Sequence, residues 1–265
     1  MISLAQISAF FPQNLRAVPG FSRYALREYI QLLILDYLST SPWVDKIVFI
    51  GGSNLRLVKG IDRFSEDLDF DHKGLSEDEF MLMTDKVIDY LNGSGLTVEA
   101  RDKDSSRLTA FRRNLYFPEL LFSLNLSGYR EERFLIKMEA QDQGIDYQRV
   151  MSTIEGCGFR FLFPTPPDAV LLSMKLSAIL SRSKGRDFYD AMFLWQYTQP
   201  DYDFLKKRVG ISTPEELLQN ITDKMQSVDM NRKRRDFEHL LFRKENASRI
   251  LTFQEFVKER LSHEN

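Results

Sequence analysis

The chain has 265 residues, which at about 100–200 residues per domain suggests two modest domains rather than one. Its hydrophobic fraction is 43%, with a mean hydropathy of −0.32, the balance of a globular protein that can bury a full core. Lysine plus arginine (36) nearly cancels aspartate plus glutamate (38), so no global basic field attracts nucleic acid, and any such site must be a local patch.

Residues 23–40, RYALREYIQLLILDYLST, carry apolar side chains at helical spacing and predict an amphipathic to buried helix. KIVFI (46–50) reads as a short buried strand and SNLRLV (53–58) as a short helix capped by Ser53 and closed before Gly60. DLDFD (67–71) is the next strand, and SEDEFMLMTDKVIDYLNGSG (76–95) a helix that stops at its Asn-Gly turn. Strand candidates follow at LTVEAR, FRRNLYF, FLIKMEA and FRFLF, all within residues 96–163. PTPP (164–167) reads as a linker, and beyond it the pattern is helical to the end, which sets expected domains of 1–165 and 166–265.

The lone cysteine, Cys157, excludes an intramolecular disulfide, argues against structural zinc and fits a cytoplasmic protein. The first residues lack a basic segment followed by an apolar one, so no signal peptide is expected. No window of about 18 apolar residues exists, so no membrane span is expected either.

The informative stretch is residues 50–71, IGGSNLRLVKGIDRFSEDLDFD. Residues i and i+2 of a strand share a face, about 6.5–7 Å apart. Asp67 and Asp69 therefore project together while Leu68 and Phe70 enter a core. Like charges so close repel, and a divalent cation removes the conflict. Hard Mg²⁺ (or Mn²⁺) prefers carboxylate oxygens and keeps its other positions for water and substrate phosphates. Asp71 continues the face but falls at the strand end, outside that cluster. Upstream, Gly51, Gly52 and Ser53 permit close backbone approach, and Gly52 and Ser53 are the expected phosphate contacts. Ser53 can instead cap the following helix. No G-x-x-x-x-G-K-[ST] or G-x-G-x-x-G pattern is present.

FIGGSNLRLVKGIDRFSEDLDFD resembles the signature of the DNA polymerase β-type nucleotidyltransferase superfamily, and more narrowly that of the AbiEii/AbiGii toxin family of bacterial abortive-infection and toxin–antitoxin systems. That family shows a GG-[TS]-x-L stretch, an R-F-S-x-D-[IL]-D-F stretch and a later Lys…Arg-Asp motif. Here these are GGSNL, RFSEDLDF, and Lys175 with Arg186-Asp187, and the resemblance spans roughly residues 24–255. It implies an α+β nucleotidyltransferase fold, a mixed sheet flanked by helices, with a C-terminal helical domain. It implies metal-dependent transfer of a nucleoside monophosphate from an NTP to an acceptor hydroxyl, with tRNA or another RNA as acceptor and a cognate antitoxin as partner.

Such enzymes take a third carboxylate from a neighbouring strand. In RFLIKMEAQ (133–141), Glu139 is the candidate, as metal ligand or general base; it reads equally as an ordinary glutamate paired with a lysine on the same face. Lys175 interrupts a strongly apolar helix, a costly position unless an anion receives it, and the family places a lysine here against the NTP phosphates. The alternative is a lysine snorkelling off the helix edge. Asp187, three residues before Asp190, is expected to hold Lys175 or Arg186 or to cap its helix. Arg63 and Ser65 are assigned nucleotide or loop-positioning roles. Arg112-Arg113, SRSKGR (181–186), KKR (206–208) and RKRR (232–235) are local basic runs suited to RNA phosphates. A metal-dependent nuclease could use the same carboxylates without the GGS cradle or Lys175. A catalytically silent module acting through a protein partner is the remaining alternative.

Overall fold

A computed structural model describes residues 3–102 and 110–262. The chain forms two compact units: residues 1–60, 64–144 and 149–165 in the first, residues 61–63, 145–148 and 166–265 in the second.

The first unit opens with α1 (Leu4–Ala9), which Ser3 and Gln6 cap reciprocally, and continues into α2 (Phe21–Ser39). Along α2 a run of leucines and isoleucines from Leu26 to Leu38 is buried, which makes it the central helix of this unit. The sheet contains β1 (Ile47–Ile50), β2 (Leu68–His72), β3 (Glu99–Ala100), β4 (Phe111–Tyr116) and β5 (Leu135–Gln141). Its order is β1-β2-β5-β4-β3, with β2 and β5 parallel and every other pair antiparallel, so the sheet is mixed. Two short helices, α3 (Gly51–Leu57) after β1 and α5 (Leu120–Ser123) after β4, and the longer α4 (Glu77–Gly93) complete it. Alternation in β5 is strict: Phe134, Ile136, Met138 and Ala140 are buried, and Leu135, Lys137, Glu139 and Gln141 are not.

A hairpin of β6 (Val150–Gly156) and β7 (Phe159–Thr165) forms a second, two-stranded sheet. Phe163 carries it into the core, with ring centroids 6.0 Å from Phe49 and 6.2 Å from Phe70. Pro164 and Thr165, expected in a linker, are the last residues of β7; proline is tolerated at a strand end.

The second unit is helical: α6 (Asp168–Ser181), α7 (Gly185–Leu194), α8 (Tyr202–Val209), α9 (Pro214–Met225), α10 (Met230–Arg235) and α11 (Phe253–Ser262). Its two short crossing segments are held by specific contacts. Ile145 is buried with Val170 and Phe204. Arg63 bridges Leu241, and the Asp62 carbonyl accepts from the Phe242 backbone N–H at 3.1 Å. Among the described residues no helix is long and apolar enough to cross a membrane.

Candidate active site

In the first unit, β1 runs into α3 through Gly51, whose φ of +79° lies in the left-handed region that favours glycine. A Cβ at this position would stand 2.9 Å from Asp69 Cβ, closer than real contacts allow, and 3.0 Å from Asp69 Cγ. The glycine turn and the carboxylate strand therefore touch, and only the missing side chain makes room. Around this contact the motif segments are tied to one another. Asn54 Nδ2 donates to the Phe49 carbonyl at 2.8 Å, fixing α3 on β1. Ser53 is fully buried and its hydroxyl donates to the Asp67 carbonyl. Gln31 of α2 donates from Nε2 to the Ser65 carbonyl at 3.3 Å, with Ser53 Oγ 3.5 Å away.

These contacts revise the part expected of Ser53. The helix begins at Gly51, two residues earlier than expected, and no side chain caps it. Ser53 lies inside the helix, and its hydroxyl donates to the aspartate-bearing loop rather than capping the helix.

Across the sheet, Asp69 stands opposite Glu139, and Glu139 opposite Arg112. Glu139 accepts from Arg112 Nε at 2.5 Å through Oε1 and from Lys137 Nζ at 2.8 Å through Oε2. Lys137 Nζ also lies 3.2 Å from Asp67 Oδ2. Burial alone would raise the Glu139 carboxyl, but Lys137 and then Arg112 reverse this and hold it below the usual range. For Lys137 burial opposes the charge, and Glu139 and Asp67 more than restore it.

Asp69 on β2 and Asp67 in the loop just before it are hard carboxylates, a donor type that suits Mg²⁺ or Mn²⁺ with water and phosphate completing the shell. Both oxygens of Glu139 face cations, Arg112 at Oε1 and Lys137 at Oε2, and Asp67 shares that lysine. Among the described residues no three His, Cys, Asp or Glu side chains converge as a metal-holding group. Glu139 takes the lysine-paired arrangement in this structure, with Arg112 on its other oxygen. Asp71 is fully buried and accepts the Gln143 backbone N–H at 2.9 Å.

The second unit carries its own charge cluster. Arg63 is fully buried and bidentate on Asp190, Nε to Oδ1 and Nη2 to Oδ2, each 2.7 Å. Lys175 Nζ is 2.8 Å from Asp190 Oδ2 and 3.6 Å from Asp187 Oδ1. Arg182 forks onto Asp187, its Nε and Nη2 each 2.9 Å from a carboxylate oxygen. Burial would raise both aspartates. Arg63 and Lys175 instead hold Asp190 down at about 2, while Lys175 and Arg182 lower Asp187. Beside them Asp62 accepts from Tyr189 Oη at 2.7 Å and from Asn246 Nδ2 at 2.8 Å. Of the two roles expected for Arg63, this enclosure suits positioning and leaves no surface for a nucleotide. Sequence reasoning gave Asp190 no role, although its spacing from Asp187 was visible.

Two basic runs also meet within this unit. A Cβ on Gly185 would lie 2.8 Å from the backbone carbon of Lys233, so the start of α7 abuts α10. SRSKGR and RKRR, about 50 residues apart in sequence, are therefore neighbours, with Lys184, Arg232 and Arg235 exposed.

The family model for the AbiEii nucleotidyl transferase toxin of type IV toxin–antitoxin systems matches residues 33–256. JHP933 from Helicobacter pylori shares the fold, with a TM-score of 0.53 and 19% identity over 91% of this chain and 94% of that one. MenT4, a nucleotidyltransferase toxin from Mycobacterium tuberculosis H37Rv, does so with a TM-score of 0.59 and 16% identity over 99% of this chain and 89% of that one. No curated protein sequence matches the chain.

Proposed function

Because the chain belongs to the AbiEii nucleotidyltransferase toxin family, we propose that it transfers a nucleoside monophosphate from an NTP to an RNA hydroxyl, using a divalent cation held by Asp67 and Asp69. That the protein is a nucleotidyltransferase follows from the family; metal, acceptor and residue roles are our reading. The observation that carries it is the Gly51–Asp69 approach, which couples a glycine turn to a paired-carboxylate strand.

When bound, Mg²⁺ or Mn²⁺ offsets the triphosphate charge and stabilises the pyrophosphate leaving group. Gly52 and its neighbours offer the phosphates a backbone without side-chain obstruction. Ser53 and Ser65 set the loop that presents Asp67. Lys175 is assigned to the triphosphate, with Asp187 and Asp190 orienting it and Arg63 locking Asp190. Exposed lysines and arginines of the joined basic runs are assigned to RNA phosphates, with a tRNA end as the first acceptor to try. The partners in this reading are an NTP, an RNA and a cognate antitoxin, and the setting is the cytoplasm.

The test incubates each labelled NTP with total RNA and total protein, with and without Mg²⁺. Wild type should label RNA, and Asp67→Asn and Asp69→Asn should lower the rate at least about a hundredfold. Label confined to protein or to a small molecule would overturn the RNA acceptor. Full activity in either variant, or without a divalent cation, would overturn the metal site.

A further inference from the structure

Lys137 has no part in that reaction scheme, yet its side chain stands among the carboxylates. Its Nζ is 2.8 Å from Glu139 Oε2 and 3.2 Å from Asp67 Oδ2. Glu139 is itself held from its far side by Arg112 at 2.5 Å, and the two face each other in the β4–β5 register. Arg112 thus fixes Glu139, Glu139 fixes Lys137, and Lys137 reaches the carboxylate that a divalent cation would need. The three side chains involved in the last two links are half-buried, at 27%, 19% and 26% exposure for Lys137, Glu139 and Asp67.

We propose that Lys137 is the resident counter-ion of the carboxylate pair: it compensates Asp67 in the metal-free protein and competes with a divalent cation for it. The proposal rests on the metal-dependent reading above. Two positive charges cannot share Asp67 at short range without repulsion, so a cation alone binds against the ammonium. A triphosphate changes the balance. The flexible four-carbon stem of lysine lets Nζ leave Asp67 for a phosphate oxygen while Glu139 keeps it nearby. Cation and triphosphate then bind as a couple, and the cation alone binds weakly. Lys137 is in this sense a positioning residue, and Glu139 acts through it.

The experiment measures Mn²⁺ binding by electron paramagnetic resonance, with and without a non-hydrolysable NTP analogue, together with melting temperature. Lys137→Met should bind Mn²⁺ alone roughly fivefold more tightly, the scale of one partly exposed ion pair. It should melt lower than wild type without metal and recover on adding Mn²⁺, and the analogue should strengthen Mn²⁺ binding by a smaller factor than in wild type. Lys137→Arg, which keeps the charge, should return Mn²⁺ affinity to the wild-type value. If Lys137→Met does not fold, Lys137→Gln, which can still hydrogen-bond Glu139, carries the same expectations. Asp67→Asn separates the two readings. If it abolishes Mn²⁺ binding while Lys137→Met or Lys137→Gln leaves binding unchanged or weaker, the counter-ion proposal is wrong and the metal site stands. If Asp67→Asn binds Mn²⁺ as wild type does, both fail.

Discussion

Gly51 and Asp69 approach so closely that any side chain on Gly51 would overlap the aspartate. Gly51→Ala must therefore either displace Asp69 or distort the turn, in addition to the strain of alanine at φ +79°. Gly60 offers the matched control, since its φ is +73° but nothing lies within 4 Å of its Cβ position. Gly60→Ala should cost about 1–2 kcal/mol and keep nucleotidyl transfer. Gly51→Ala should cost more and abolish transfer. Urea unfolding and a transfer assay on both variants decide it, and equal behaviour would show that the close approach has no functional weight.

Asp190 is the keystone of the charge cluster in the helical unit. Asp190→Asn leaves Arg63 enclosed without its counter-charge, which should cost about 3–5 kcal/mol. The pH dependence has a definite sign. Asp190 is held at about 2, below its ordinary value of 3.8, so it contributes stability that is complete above about pH 4 and lost as pH falls toward 2. Wild type and Asp190→Asn should thus differ most at neutral pH and converge in acid. Circular dichroism across pH 2–7 tests this order-of-magnitude expectation, and parallel curves would count against it.

Lys175→Met should weaken NTP binding about tenfold, the worth of a desolvated hydrogen bond to a charged group. Calorimetric titration with a non-hydrolysable NTP reads it directly. Since Lys175 also faces Asp187 and Asp190, melting should be measured alongside. A folded variant with unchanged nucleotide affinity would reduce Lys175 to a structural partner of the two aspartates.

Charge reversal at Lys184, Arg232 and Arg235 should weaken RNA binding and flatten its salt dependence, by a log–log slope of about 0.7–0.9 for each phosphate that the variant no longer engages. Arg182 is unsuitable for this test because its guanidinium is bidentate on buried Asp187. Filter binding from low to high salt gives the slopes. A slope unchanged in the triple variant would place the RNA elsewhere.

The sequence was most legible where periodicity and chemistry coincide. The apolar positions of β5 follow from alternation alone, and α4 follows from its apolar periodicity up to the Asn-Gly turn. β6 was not legible, because most of its residues are exposed and only Ile154 is fully buried, so it has no apolar alternation to reveal it. Its turn is equally silent: Cys157 and Gly158 both take positive φ, a conformation usually signalled by Asn-Gly or Asp-Gly. Arg63 was open to a nucleotide or a loop-positioning role, since nothing local announces a partner 127 residues away. Glu139 and its pairing with a lysine on the same face were found by alternation, but its commitment to Arg112 depends on strand order, which a one-dimensional pattern does not contain.

The crossing segment 61–63 bears on how the chain can be dissected. A fragment ending at residue 165 would carry Asp62 and Arg63 but none of Tyr189, Asp190 or Asn246. It would leave without its Asp190 partner a guanidinium that the full chain encloses completely. The complementary fragment would keep Asp190 with one of its two cations missing. Each piece is therefore expected to be less stable than the same residues in the full chain, so truncation at the proline-rich junction confounds lost stability with lost chemistry. Circular permutation or co-expression of fragments divided elsewhere, with residues 61–63 supplied to the helices, is the way to take this protein apart.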